Sequence, residues 1–236
     1  GGPRYYAFPA FPAAATGRAV GLCDRAPSRL GSLGTSDLSA VLDNPEVEAV
    51  YVATPNDQHR PVVAACASAG KHVLCEKPMA TNSTDAAAMV DVCADAGVTL
   101  GIAYDQRFHA AHRHLRTLIA EGALGTITQA RIFYACWLPP DWTADNWRAD
   151  PRRAGGGALW DLAPHGIDLL EVLLDTPWSD LHALTQRRVH AYDVDDGALL
   201  TGRFADGTLG TIQVAYNCPD TYPRRTLELA GTPAMA

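Results

Sequence analysis

The sequence predicts an α/β domain followed by an α+β domain. Residues 1–105 read as a Rossmann-like parallel sheet with its first strand missing, and residues 106–236 as an α+β domain with an open, incomplete antiparallel sheet. Three observations carry this. Short apolar runs alternate with helical patterns up to Tyr104, as in successive βαβ units. Beyond that point strand-like runs follow one another without intervening helices. Within them, Asp206-Gly207 separates the runs Ala198 to Phe204 and Leu209 to Tyr216, a strong hairpin signal.

The chain opens with Gly1-Gly2, and Tyr5 to Ala15 reads as a helix disturbed by Pro9 and Pro12. Arg18 to Asp24 reads as the second strand of a doubly wound sheet. Asp24 follows the glycines at about the 20-residue spacing of a dinucleotide fold, where a strand-ending carboxylate binds ribose hydroxyls. Gly1 and Gly2 are then the tail of a phosphate-binding loop, and the chain is expected to be a fragment lacking both ends. Asp24 could also cap the next helix. Its charge repels the extra phosphate of NADP, whereas Arg25 beside it attracts one; the balance favours NAD, with NADP possible.

A short helix is expected over Ser36 to Asp43 and a buried parallel strand over Glu48 to Val52. The next helix should start at Pro61, turn Val62, Ala65, Cys66 and Ala69 towards the sheet, and stop at Gly70. His72 to Cys75 is the following strand. A further helix, capped by Asn82, buries Ala86, Met89, Val90 and Cys93 and ends at Gly97, before a strand from Thr99 to Ala103. In the second domain, Ala111, Leu115, Leu118 and Ile119 share one helical face, and Thr126 to Trp137 forms a long strand.

Composition narrows the function. Against 19 Lys and Arg stand 26 Asp and Glu, a net charge of −7, which disfavours a nucleic-acid backbone binder. No apolar run approaches membrane length, and no signal core opens the chain. The six cysteines form no C-x-x-C pair and read as reduced, small hydrophobes, so a cytoplasmic protein without a metal is expected.

Two clusters carry chemistry. The first is ATPNDQHRPVVAACASAGKHVLCEKP, Ala53 to Pro78, one βαβ unit. Parallel strands end at the same rim, so Thr54, Asn56 and His59 should approach Glu76 and Lys77 where an open α/β sheet binds ligands. Taken alone, Lys77-Pro78 is a turn with a solvated amine. The second is Trp147-Arg148 followed by GGGALWDLAPHGIDLL, Gly155 to Leu170. Its glycines allow a close approach to a ligand or a sharp turn. Asp161 and His165 are four apart, hence on one helical face, where a carboxylate fixes an imidazole tautomer and favours its protonated form. In isolation they read as a capping Asp and a surface His. Pro164 is harmless only in a first turn, which places the helix start near Asp161. His109, His112 and His114 read as solvated.

ATPN followed by His59 and, one helix later, GKHVLCEKP, then W-R, G-G-G and D-x-x-x-H-x-x-D, resemble the Gfo/Idh/MocA oxidoreductases along nearly the whole chain. The resemblance implies an NAD(P)-dependent dehydrogenase acting on a secondary alcohol of a sugar, cyclitol or related polyol. It makes Lys77, bonded to Pro78 through a commonly cis peptide, a catalytic group beside nicotinamide and alcohol. His165 becomes the base and Asp161 its assistant, with Asp168 a supporting or substrate-contacting group. Gly1, Gly2, Asp24, Arg25, Thr54, Pro55, Asn56, His59, Glu76, Lys77, Pro78 and Arg107 are then the cofactor side, and Lys77, Tyr104, Trp147, Arg148, Asp161 and His165 the substrate side. Ala163-Pro164 departs from the family's glycine and apolar residue. A homo-oligomer is implied, with the open sheet faces packed together. Two alternatives share the resemblance: an NAD-retaining glycoside hydrolase and a non-catalytic sugar sensor.

Overall fold

The computed structural model describes residues 21–24, 34–138, 146–219, 221 and 224–236. The expected helix over Tyr5 to Ala15, the glycines Gly1 and Gly2, and Arg25 lie outside them. The chain forms two compact units, neither continuous in sequence. One comprises the chain up to Ala53 with Gln58–Cys75 and Thr84–Gly101; the other comprises Thr54–Asp57, Glu76–Ser83 and Ile102–Ala236.

In the first unit the described strands lie in two parallel groups. Strands β1 (Leu22–Cys23) and β2 (Gly34–Thr35) pair with each other, and β3 (Ala49–Val52), β4 (His72–Cys75) and β5 (Leu100–Ile102) form a sheet in that order. No described residue pairs the two groups, where a doubly wound sheet places its first strand. Helix α1 (Leu38–Leu42) is capped by the Asp37 carboxylate, which accepts the Ser39 N–H at 2.9 Å. Helix α2 (His59–Ser68) starts two residues earlier than expected. Pro61 therefore sits third in the helix, where its missing N–H costs nothing. The early start with His59 buried also sets the phase, so the covered residues are Val63, Cys66 and Ala67 rather than the stripe through Val62 and Ala65. Helix α3 (Ser83–Asp95) buries Met89 and Cys93 but leaves Val90 exposed.

The second unit is a five-stranded sheet covered on one face. Its helices are α4 (Ala110–Ala120), α5 (Pro151–Ala154) and α6 (Ala158–Leu174), and its strands β6 (Ile127–Ala135), β7 (Trp178–Gln186), β8 (Gly197–Phe204), β9 (Leu209–Ala215) and β10 (Arg225–Gly231). The order is β10-β6-β9-β8-β7. The sheet is mixed rather than wholly antiparallel, because β6 pairs β9 in parallel. The chain leaves β6, passes through α5 and α6, and returns by the β7-β8-β9 meander, a crossover long enough for parallel neighbours. The β8-β9 hairpin turns at Asp206-Gly207, with Gly207 at φ 95°, a conformation that favours glycine.

Period-2 alternation separates the two sheet faces. Ala130, Ile132, Leu200, Phe204, Ile212, Val214 and Leu229 point inward and pack with Leu162, Leu169, Leu170 and Leu173 of α6. On α4, Leu115 and Ile119 are half-buried against the same core. The other face carries Gln129, Arg131, Leu199 and Gln213, and no helix of this unit covers it among the described residues.

Helix α6 begins at Ala158, three residues before the expected start, and so takes Pro164 into its second turn. Its beginning is fixed from a distant segment: Asp195 accepts the N–H groups of Gly157 at 2.7 Å and Leu159 at 2.8 Å through its carboxylate, and that of Ala158 through its carbonyl. This satisfies the helix's unpaired donors and places a negative charge at its positive end. Gly157 is required, since a Cβ there would lie 1.9 Å from the Asp195 carbonyl oxygen.

Candidate active site

The second unit brings Lys77, Asp161 and His165 together. Lys77 follows β4, and its peptide bond to Pro78 is cis. Its ammonium donates to Asp161 Oδ1 at 2.6 Å and to the Asp161 carbonyl at 2.8 Å. That carbonyl neighbours the Trp160 carbonyl, from which Pro164 withholds the usual helical donor. The other carboxylate oxygen, Oδ2, accepts the Tyr216 hydroxyl at 2.8 Å. Burial alone would raise the Asp161 pKa, but Lys77, Tyr216 and Arg148 outweigh it and hold the carboxyl below its ordinary value.

His165 lies one turn along α6 and is buried. Its expected partnership with Asp161 is not formed, because Lys77 and Tyr216 occupy the carboxylate. The nearer carboxylate is Asp105, whose Oδ1 is 3.6 Å from His165 Nδ1, and that nitrogen has no hydrogen-bond partner among the described residues. The Tyr134 ring lies 5.6 Å away. Burial, reinforced by the Lys77 charge, pushes the His165 pKa down to about 4 against the pull of Asp105 and Asp161. The imidazole is thus held neutral, contrary to the expected preference for its protonated form. Desolvation outweighs the carboxylates.

Arg107, expected on the cofactor side, pairs with Asp168 through Nε at 2.7 Å and through a second bond from its terminal nitrogen. The Tyr104 ring lies 5.7 Å from the same guanidinium. Arg148 stacks on Trp147 at 4.3 Å while its charge acts on Asp161. Asn56 is buried and donates to the Ala154 carbonyl at 2.8 Å, so its amide braces the backbone below the glycines. Glu76 accepts the Lys77 N–H at 3.2 Å. Thr54, Pro55 and Asn56 form the segment directly after β3, while His59 is fully buried at the start of α2. Asp24 directly follows β1, its N–H held by the Thr35 carbonyl at 3.0 Å. His112 is bonded to the Gln106 carbonyl and stacked on His109 rather than simply solvated.

Sequence reasoning missed Tyr216, Asp105 and Asp195. Tyr216 could have been found by continuing the inward alternation Ile212, Val214 by two residues. Asp195 carries no local signal.

Two family models match. Residues 12–104 match "Oxidoreductase family, NAD-binding Rossmann fold" and residues 112–236 match "GFO/IDH/MocA C-terminal domain". The chain belongs to the Gfo/Idh/MocA oxidoreductase family. Among curated Gfo/Idh/MocA proteins it is similar to 1,5-anhydro-D-fructose reductase of Ensifer adhaerens, with 37% identity over 77% of this chain and 54% of that protein. It is also similar to levoglucosan dehydrogenase of Pseudarthrobacter phenanthrenivorans, with 32% identity over 84% of this chain and 57% of that one. A solved levoglucosan dehydrogenase in complex with NADH and levoglucosan superposes with a TM-score of 0.78 at 32% identity, covering 84% of this chain and 55% of that structure. The chain thus spans little more than half the length of these relatives.

Proposed function

We propose that the protein is an NAD(P)-dependent dehydrogenase that oxidises a secondary alcohol of a sugar, cyclitol or related polyol. Residues 1–105 hold the dinucleotide and residues 106–236 the substrate. The observation that carries this reading is the constellation in one unit: an ammonium anchored on Asp161 and a buried, neutral imidazole. The acceptor chemistry of Asp24, fixed at the end of a parallel strand, suits ribose hydroxyls. The bound cofactor supplies the hydride acceptor.

The chain's own groups handle the proton and the developing charge. Asp105 on the Nδ1 side favours the tautomer protonated there, which leaves the Nε2 lone pair of His165 to accept the hydroxyl proton. Lys77 uses two of its three N–H donors on Asp161. The third orients the hydroxyl and stabilises negative charge building on its oxygen, an interaction stronger in the transition state than in the ground state. Arg148, stacked on Trp147, offers a further donor to a polyol.

The full-length protein, incubated with NAD+ or NADP+ and a panel of polyols and sugars, should form reduced cofactor with at least one of them. Aryl glycosides run in parallel test the hydrolase alternative, which predicts bond cleavage without net NADH. Cofactor binding with no turnover of either class would leave the sensor.

The uncovered sheet face supports self-association. Leu184 and Leu199 are cross-strand neighbours there, and they and Leu209 are exposed. Packing such faces together in a homo-oligomer covers them. Sedimentation at high concentration should show a species larger than the monomer, and a protein that stays monomeric would exclude it. The six free cysteines support a reducing, cytoplasmic location.

A further inference from the structure

Resting on that reading, we propose that Tyr216 is a positioning residue of the reaction: its hydroxyl locks the Asp161 carboxylate in the one orientation that presents the Lys77 ammonium to the substrate. A lysine ammonium on a four-carbon stem has little orientation of its own. Here both of its acceptors belong to Asp161, one a backbone carbonyl fixed by α6 and the other a carboxylate oxygen free to rotate about the side chain. Only a grip on the second carboxylate oxygen removes that freedom. Tyr216 provides it at 2.8 Å.

The phenol is itself immobile. Tyr216 is 2% exposed, and its backbone donates to the Asp196 carbonyl and accepts the Leu138 N–H, both at 2.9 Å. Its carbonyl also contacts His190 Nε2 at 3.2 Å. Asp196, in turn, is fully buried and gathers the N–H groups of Arg188, Val189 and His190. The hydroxyl is therefore referred to the sheet and to a braced loop, and the carboxylate to the hydroxyl. Burial and the neighbouring Asp161 charge push the Tyr216 pKa well above its ordinary value, so the phenol remains a donor. The other charged or titratable groups acting with Asp161 are Lys77, Arg148, His165 and Tyr134.

The test is Tyr216→Phe in the full-length protein, which keeps the ring and removes only the donor. Turnover should fall about tenfold or more, the KM for NAD+ should change less than twofold, and the acidic limb of kcat/KM should move to higher pH, because Asp161 loses one of the groups that keep it ionised. Carboxyl 13C NMR should show Asp161 titrating at higher pH in the variant. An unchanged Asp161 titration overturns the proposal whatever the activity. A shifted titration with unchanged turnover and pH profile overturns the role in the reaction. If the wild-type protein oxidises no polyol, the dehydrogenase reading falls by itself, and the NMR arm still decides whether Tyr216 governs Asp161.

Discussion

The Lys77 ammonium lies between two oxygens of a single residue, 2.6 Å from the Asp161 carboxylate and 2.8 Å from the Asp161 carbonyl. One of those acceptors survives any change to the Asp161 side chain. Asp161→Asn should therefore keep the lysine close to its place while removing its counter-charge. Turnover should fall by about tenfold to a hundredfold, less than for Lys77→Ala, which deletes the donor and should cost about 10²- to 10³-fold in kcat. Steady-state kinetics on both variants checks the order, and equal losses would contradict it.

His165→Ala removes the proposed proton acceptor and leaves the residues proposed for the dinucleotide unchanged. Its turnover should drop by about 10²- to 10⁴-fold, while NADH affinity, followed by fluorescence titration, should remain within a factor of two. Near-normal turnover would remove His165 from the mechanism.

Stability should depend on pH through the same residue. The folded-state pKa of His165 is lowered from 6.5 to about 4, so between those values the unfolded chain binds the proton that the native protein refuses. Stability is then lost as pH falls through that window, by on the order of 2–3 kcal/mol. Asp161, whose pKa is lowered below 3.8, extends the loss further into acid. Urea midpoints at intervals from pH 7 to pH 4 should show this slope, and His165→Gln should flatten it.

Arg107 and Asp168 make a two-bond ion pair in which the carboxylate is buried, at 7% exposure, and the guanidinium is 44% exposed. Arg107→Ala strands the carboxylate and should cost about 2 kcal/mol, at the low side for a broken pair because water reaches the arginine. The loss should appear in the denaturation midpoint rather than in NADH affinity. A large change in NADH affinity with unchanged stability would instead favour the cofactor role expected from the sequence.

How far the sequence could be read depended on how local each determinant is. The βαβ alternation, the Asp206-Gly207 hairpin and the inward row through Ile212 and Val214 follow from periodicity and turn chemistry, which neighbouring residues decide. Lys77, Asp161 and His165 were legible as candidates through their motifs. What the spacing of Asp161 and His165 could not tell was which of several partners each would choose. Four residues apart on a helix gives proximity, but Lys77, 84 positions away, offers a full positive charge, and Tyr216, 55 positions away, a buried donor. Stronger long-range partners displaced the local one. The parallel pairing of β6 with β9 and the cap from Asp195 were hidden for the same reason. Pro164 misled because its rule presumes an ordinary helix start, whereas α6 has its N–H groups satisfied from outside.

That external cap has a consequence for the order in which the protein assembles. Asp195 lies 38 positions beyond Gly157, so during synthesis the helix that carries Asp161 and His165 emerges well before the residue that fixes its first turn. Until the segment around Asp195 docks, the start of α6 lacks partners for its leading donors and carries a proline in its second turn, two defects that favour fraying. The candidate reacting groups are thus organised by the later part of the chain. In the finished protein the amide hydrogens of Gly157 and Leu159 should exchange at the rate at which the segment around Asp195 lifts away, in step with the amides of Arg188 to His190.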